Sequence, residues 1–270
     1  MTELTLTAIV VAGVLYWLGK REMSGGRERR ERSWRAQSFY AGLIAVALAV
    51  SPPLDGLADR LFWWHMVQHA LLQMVAPPLI VLGAPWLAIQ RPFSLGVRRA
   101  TSRWVVRSRG AAPLRAIARV LTIPAVAWFL FLGTIWLSHL PAVFDYAAAH
   151  GAFHETEHVL FLGLGLLFWS RALDSPPFRA RVTRLRRVAF FLAAGVAELA
   201  LAVLILAAGS PLYSPYTSIT PRPEHLTAIA DQQLGGAIMF EPASIPLLLA
   251  LLWSIGGLMS RRARPRPTAA

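Results

Sequence analysis

Two pairs of histidines define the chemistry open to this sequence. His65 and His69, and again His154 and His158, stand four residues apart. On a helix that spacing puts both imidazoles on one face, about 6 Å apart along the axis. One such pair can hold a metal ion, and two pairs facing each other can complete its coordination sphere. Gln73 continues the first stripe, and Glu157 shares the face of the second. His139 adds a fifth imidazole. Asp231, Gly235 and Met239 recur at i, i+4 and i+8, with Gly235 permitting close approach of a neighbouring backbone. The chain has no cysteine, which excludes disulfides, thiolate metal sites and thiol catalysis. The candidate ligand set is therefore His65, His69, His139, His154, His158, Asp231 and Met239. Met66 and Met74 are close in sequence but lie off the His65/His69 stripe by helical angle, and are left out of the set.

Three chemistries fit these residues. Imidazole and thioether suit copper, and a site without thiols survives an oxidising exterior; delivery and transport of copper are both open. His154-Glu155-Thr156-Glu157-His158 also reads H-E-x-x-H, the zinc peptidase pattern in which two histidines bind zinc and the glutamate is the general base. An intramembrane protease of that kind needs a later aspartate motif, whereas Leu54-Asp55-Gly56 precedes the histidines. A b-type haem between His65 or His69 and His158 is the third possibility. The bland reading of any single histidine is a helix-end residue bonded to its neighbours; paired ionisable groups near membrane depth are less often idle.

The elements that carry these residues are membrane helices. Hydrophobic residues make up 56% of the 270 and charged residues 15%, against about a quarter charged in soluble domains. Spanning a bilayer takes about 20 apolar residues in a helix. Seven candidates lie near 2–19, 36–52, 61–84, 117–138, 153–173, 187–208 and 237–258. Pro77-Pro78 inside the third removes two backbone donors and predicts a kink or break. No linker, repeat or low-complexity tract divides the chain, which reads as one all-α, polytopic transmembrane domain over residues 1–270.

Basic residues orient it. Of 27 Lys and Arg, 25 fall in segments 20–35, 91–119 and 171–187 and the tail after 260, leaving Arg60 and Arg222 in the alternate loops. Basic loops stay in the cytoplasm, so the N-terminus is expected outside and the C-terminus inside. Positive charge lying between apolar blocks points to anionic lipid, not nucleic acid. On this topology all seven histidines, including His150 and His225 in loops, lie on the outer side. Glu198 falls near mid-membrane, either as a hydrogen-bonded neutral carboxyl or as an ion relay. Asp145 and Glu224 are expected to be solvated in outer loops, where they could capture cations.

The run from His65-Met66-Val67-Gln68-His69 through Ala76-Pro77-Pro78-Leu79, closing on Leu82-Gly83-Ala84-Pro85, resembles the signature of the CtaG family, the multi-span assembly factors of caa3-type cytochrome c oxidase. Trp136-Leu137-Ser138-His139-Leu140-Pro141, the His154–His158 block and Asp231–Met239 are similar to that family's further blocks. The resemblance covers roughly residues 60–240, with Phe240 standing where many relatives carry Trp. It implies a non-enzymatic, multi-pass protein of the bacterial cytoplasmic membrane that serves oxidase maturation by handling copper on the outer side. The partners it implies are cytochrome c oxidase subunits and a copper donor protein.

Overall fold

Apolar segments in hydrocarbon must satisfy every backbone group internally, and this chain does so with helices. A computed structural model describes residues 2–21, 29–219 and 223–262. The first half contains α1 (Thr2–Arg21), α2 (Arg29–Ala49), α3 (Pro52–Ala58), α4 (Phe62–Ala70), α5 (Ala76–Leu82), α6 (Pro85–Gln90) and α7 (Leu95–Arg107). The second contains α8 (Ala112–Leu121), α9 (Pro124–Ser138), α10 (Pro141–Ala149), α11 (Gly151–Ala172), α12 (Arg184–Ala207), α13 (Ala228–Phe240) and α14 (Ile245–Arg262). Among the described residues there is no strand, and one isolated bridge pairs Ser175 with Phe178. Arg222 and the tail beyond Arg262 lie outside the described residues.

Among the described residues, four helical stretches are long and apolar enough to cross a membrane: Glu3–Arg21, Phe62–Leu82, Arg184–Ala207 and Ala228–Met259. Counting two bent pairs as single spans raises the number to six. α11 has the length, 22 residues, but carries Glu155, Glu157 and Arg171. The expected second span ends in a bend of 52° between α2 and α3, and the fourth is bent by 77° near its start, between α8 and α9. Pro124 opens α9 and holds Ile123 extended, at φ −68° and ψ 124°, as the residue before a proline prefers. The apolar run at 117–138 is thus two helices. In α8 the exposed Leu114, Ile117 and Val120 alternate with Arg115 and Arg119, the pattern of a helix lying in an interface.

The proline pair at 77–78 does not break its span. Without their N–H groups, the carbonyls of Gln73 and Met74 lose their i+4 donors, and Leu71–Val75 relaxes into a π-helical turn between α4 and α5. The Gln73 carbonyl instead accepts the Trp169 indole N–H from α11 at 3.2 Å. Gly165 makes room for the proline ring: a Cβ there would stand 2.7 Å from Pro77 Cγ. Such π turns are frequent at functional sites, and this one begins two residues after His69.

α4 packs on α13, α5 on α2, α11 on α9, and α12 on both α13 and α14. One core gathers Phe62, Phe131, Phe168, Trp169 and Tyr213; a second joins Tyr16 and Phe39 to Ile80 and Phe161. Large apolar side chains such as Phe129, Leu204 and Leu249 are exposed, as expected of a surface that meets lipid. Trp86 and Ser175 meet at one end of the bundle (Nε1 to Oγ, 2.8 Å). The paired histidines gather at the other.

Candidate metal centre

The first turn of α4 presents backbone N–H groups with no intrahelical acceptor, and a residue far along the chain supplies one. Asp231, fully buried, accepts the Phe62 N–H on Oδ2 at 2.9 Å and the Trp63 N–H on Oδ1 at 3.0 Å. A carboxylate at a helix N-terminus also meets the positive end of its dipole. Gly235, one turn on, brings α13 against α4: a Cβ there would overlap the Phe62 ring and stand 3.1 Å from Met66 Cγ. Asp231, expected from sequence as a ligand, spends both oxygens on this cap. It fixes where α4 begins and therefore where His65 points.

α4 and α11 then bring the two histidine pairs face to face. Ring nitrogens of His65, His69 and His154, one from each, lie within 4.8 Å of one another. His65 and His154 stack at 5.0 Å between centroids, and His158 lies 4.3 Å from His154 and 5.7 Å from His69. About 3.3 Å separates the nitrogens of a tetrahedral site with bonds near 2.0 Å, so the rings must draw together by up to about 1.5 Å to share an ion.

Hydrogen bonds select which nitrogen each ring offers. The Tyr216 hydroxyl donates to the Ala58 carbonyl at 2.7 Å, so it can only accept from His65 Nδ1, 3.0 Å away. His65 therefore carries its proton on Nδ1 and keeps a lone pair on Nε2. Partners of this kind fix the tautomer and orientation of metal-binding histidines. His69 is 4% exposed, and neither of its ring nitrogens has a hydrogen-bond partner; Nε2 of His154 and Nε2 of His158 are unpaired too. A buried polar group left unpaired costs about 1–3 kcal/mol, which a bound ion would offset. These neutral donors fit a borderline or soft cation.

A cleft of about 270 Å³ leads to this set, lined by Asp55, Asp59, Glu155, His154 and His158. Burial, and then the Asp55 carboxylate, raises the pKa of Asp59, with His154 acting in the opposite sense. Asp55 also accepts the Gln68 side-chain amide at 2.8 Å. The other outer acids serve the loops: Asp145 accepts the Ser214 hydroxyl at 2.6 Å, and Glu224 accepts the Trp63 indole at 3.3 Å. His150 and His225 are exposed and stand apart, His150 stacking on Tyr146.

His139 and Met239 sit on the other side of α4. His139 Nε2 lies 3.3 Å from Met66 Sδ, and both residues line a small cavity with His69, Glu198 and Met239. His139 is 6.2 Å from His69 between centroids. Three contributors were missed in the sequence. Tyr216 gives no signal there, lying more than 140 residues from His65, and Asp59 stands in a short helix-ending turn. Met66 was set aside because it points away from His65, which is correct; it points to His139 instead.

Known proteins resemble this chain along most of its length. Uncharacterised proteins of Mycobacterium bovis and Mycobacterium tuberculosis are each 24% identical over 253 residues, covering 90% of this chain and 37% of their own length. One from Mycobacterium leprae is 22% identical over 233 residues, covering 85% of the chain and 34% of its own. The chain thus spans little more than a third of these curated relatives. No solved structure matches. The family model described as cytochrome c oxidase caa3 assembly factor matches residues 14–261, well beyond the blocks around the histidines, and the chain belongs to that family.

Proposed function

We propose that this assembly factor receives copper on the extracytoplasmic side of a bacterial cytoplasmic membrane and passes it to cytochrome c oxidase subunits during their maturation. The observation that carries the reading is His69, a buried imidazole with both nitrogens unpaired, at the meeting point of two histidine pairs. Copper is cargo here, not a resident cofactor. His65, His69 and His154 would hold it, and the acidic cleft beside His154 would admit it from a donor protein. The residues do this by binding and release; no general acid or base is required, so the role is assembly and not catalysis. The basic end of the bundle faces the cytoplasm and anionic lipid, with the chain crossing seven times from an external N-terminus.

Metal analysis and a visible spectrum of the purified protein test the cargo. About one copper per histidine set in protein as purified supports the reading; zinc in its place, with function lost in Glu155→Gln, would revive the peptidase, a Soret band would establish haem, and the absence of all three would overturn the copper reading. The cysteine-free background lets single cysteines test the topology. Ala148→Cys should react with a membrane-impermeant maleimide in intact cells, and Ser102→Cys only after lysis. The opposite pattern would put the histidines on the wrong side for this role.

A further inference from the structure

The cavity behind α4 has features of its own. His139 Nδ1 lies 2.7 Å from the Ile135 carbonyl, which can only accept, so the ring proton sits on Nδ1 and Nε2 bears a lone pair. That lone pair faces the Met66 thioether at 3.3 Å, and sulfur brings no proton to the contact. Two electron-pair donors with nothing between them repel weakly unless a cation joins them. With metal bonds of about 2.0 Å to nitrogen and 2.3 Å to sulfur, a 3.3 Å separation corresponds to an angle of about 100° at the ion, near tetrahedral. Met239 lines the same cavity, and so does Glu198, 3% exposed with Oε2 unpaired. The space is about 20 Å³, enough for one water or one ion.

From these contacts we propose a second, deeper cation position, formed by Met66 Sδ, His139 Nε2 and Met239 Sδ, with the Glu198 carboxylate balancing the charge. It deepens the copper reading above and rests on it for its biological cargo. Thioethers are soft ligands and select Cu(I), or Ag(I) as its analogue, over zinc. His69 lines this cavity and also belongs to the outer trio. Its two unpaired nitrogens make it the common wall of both positions, so an ion can pass from the imidazole set to the thioether set without crossing bare hydrocarbon. The arrangement gives the protein two positions of different softness in series.

The full-length protein in detergent is titrated with Ag(I) and, separately, with Zn(II). Wild type should bind two Ag(I) and one Zn(II). Met66→Leu and Met239→Leu, which nearly conserve volume, should each lose one Ag(I) and keep Zn(II). His154→Ala should lose Zn(II) and one Ag(I) and keep the other. Two Ag(I) retained in both methionine variants would overturn the proposal, and so would Zn(II) lost together with Ag(I), since sulfur would then only pack the outer set. Wild type binding one Ag(I), lost on Met66→Leu, and no Zn(II) would sink the outer site and leave the inner one standing. X-ray absorption of the wild type loaded with Cu(I) gives a reading independent of folding in the variants. Sulfur neighbours near 2.3 Å support the site, and a nitrogen-only shell refutes it.

Discussion

Replacing Tyr216 with Phe removes a single oxygen from a position that touches no metal. In the native protein that oxygen donates to the Ala58 carbonyl at 2.7 Å and accepts the His65 Nδ1 proton at 3.0 Å. Both partners are buried, so Tyr216→Phe leaves an orphan donor and an orphan acceptor, a cost of about 1–3 kcal/mol in folding stability. It also frees the His65 ring to rotate and to move its proton to Nε2, the atom needed for binding. Loss of such an outer partner lowers metal affinity about 10–100-fold, or about 1.4–2.8 kcal/mol. The assay is competition for Cu(II) against a chelator, which reports on the imidazole set, together with thermal unfolding of the same samples. Tyr213→Phe is the control. Its hydroxyl donates to the His139 backbone carbonyl at 3.1 Å, so its removal should cost similar stability with less than a threefold change in Cu(II) affinity. Unchanged affinity in Tyr216→Phe, or equal losses in the two variants, would refute the reasoning.

Further expectations concern the imidazoles, the glutamate between His154 and His158, and the packing of α13 on α4. His69→Ala and His154→Ala should each abolish most Cu(II) binding, and the double variant should add little, the non-additivity of groups acting together; additive losses would mean separate sites. His158→Ala, outside the closest trio, should lose less than either. Glu155→Gln should leave Cu(II) affinity and oxidase maturation near wild type, whereas a zinc hydrolase would lose most turnover with its general base. Gly235→Ala should lower stability by about 1–3 kcal/mol through overpacking against Phe62. Gly163→Ala, inside α11 where a Cβ meets nothing within 4 Å, should hold or raise the melting temperature, by up to about 1 kcal/mol of added stability.

What the sequence conveys follows the range of the forces involved. α1 and α12 are legible because hydropathy is local, and the imidazole pairs because helical spacing is local. The fourth span is not, since an apolar average passes over Pro124, while the chain turns by 77° between α8 and α9. Pro77-Pro78 marks a disturbance that the sequence reads as a kink or break, and the disturbance takes the form of a π turn at Leu71–Val75 inside a continuous span. What the sequence does not show is the Trp169 indole, 92 residues beyond Pro77 in the chain, that satisfies the freed Gln73 carbonyl. Asp231 is the clearest case. A lone carboxylate near histidines and a methionine reads as a ligand. Only the fold shows that the backbone N–H groups it serves are 169 and 168 residues away.

Met66 teaches the converse. Helical angle places it off the His65/His69 stripe, and α4 indeed turns it toward α9 and α13. Helical angle tells which residues leave a stripe, but not what they meet on the far side; Met66 meets His139 Nε2. A helix buried on most of its circumference, as Phe62–Leu82 is, can present ligands in two directions at once. His69 borders both the trio and the cavity containing Met66 and His139. Asp231 and Gly235 secure the start of that helix from α13, so a shift of α13 would move His65 on one face and Met66 on the other together. A movement of α13 is expected to disturb both proposed copper positions at once, because Asp231 and Gly235 hold the start of the helix that carries His65 and Met66.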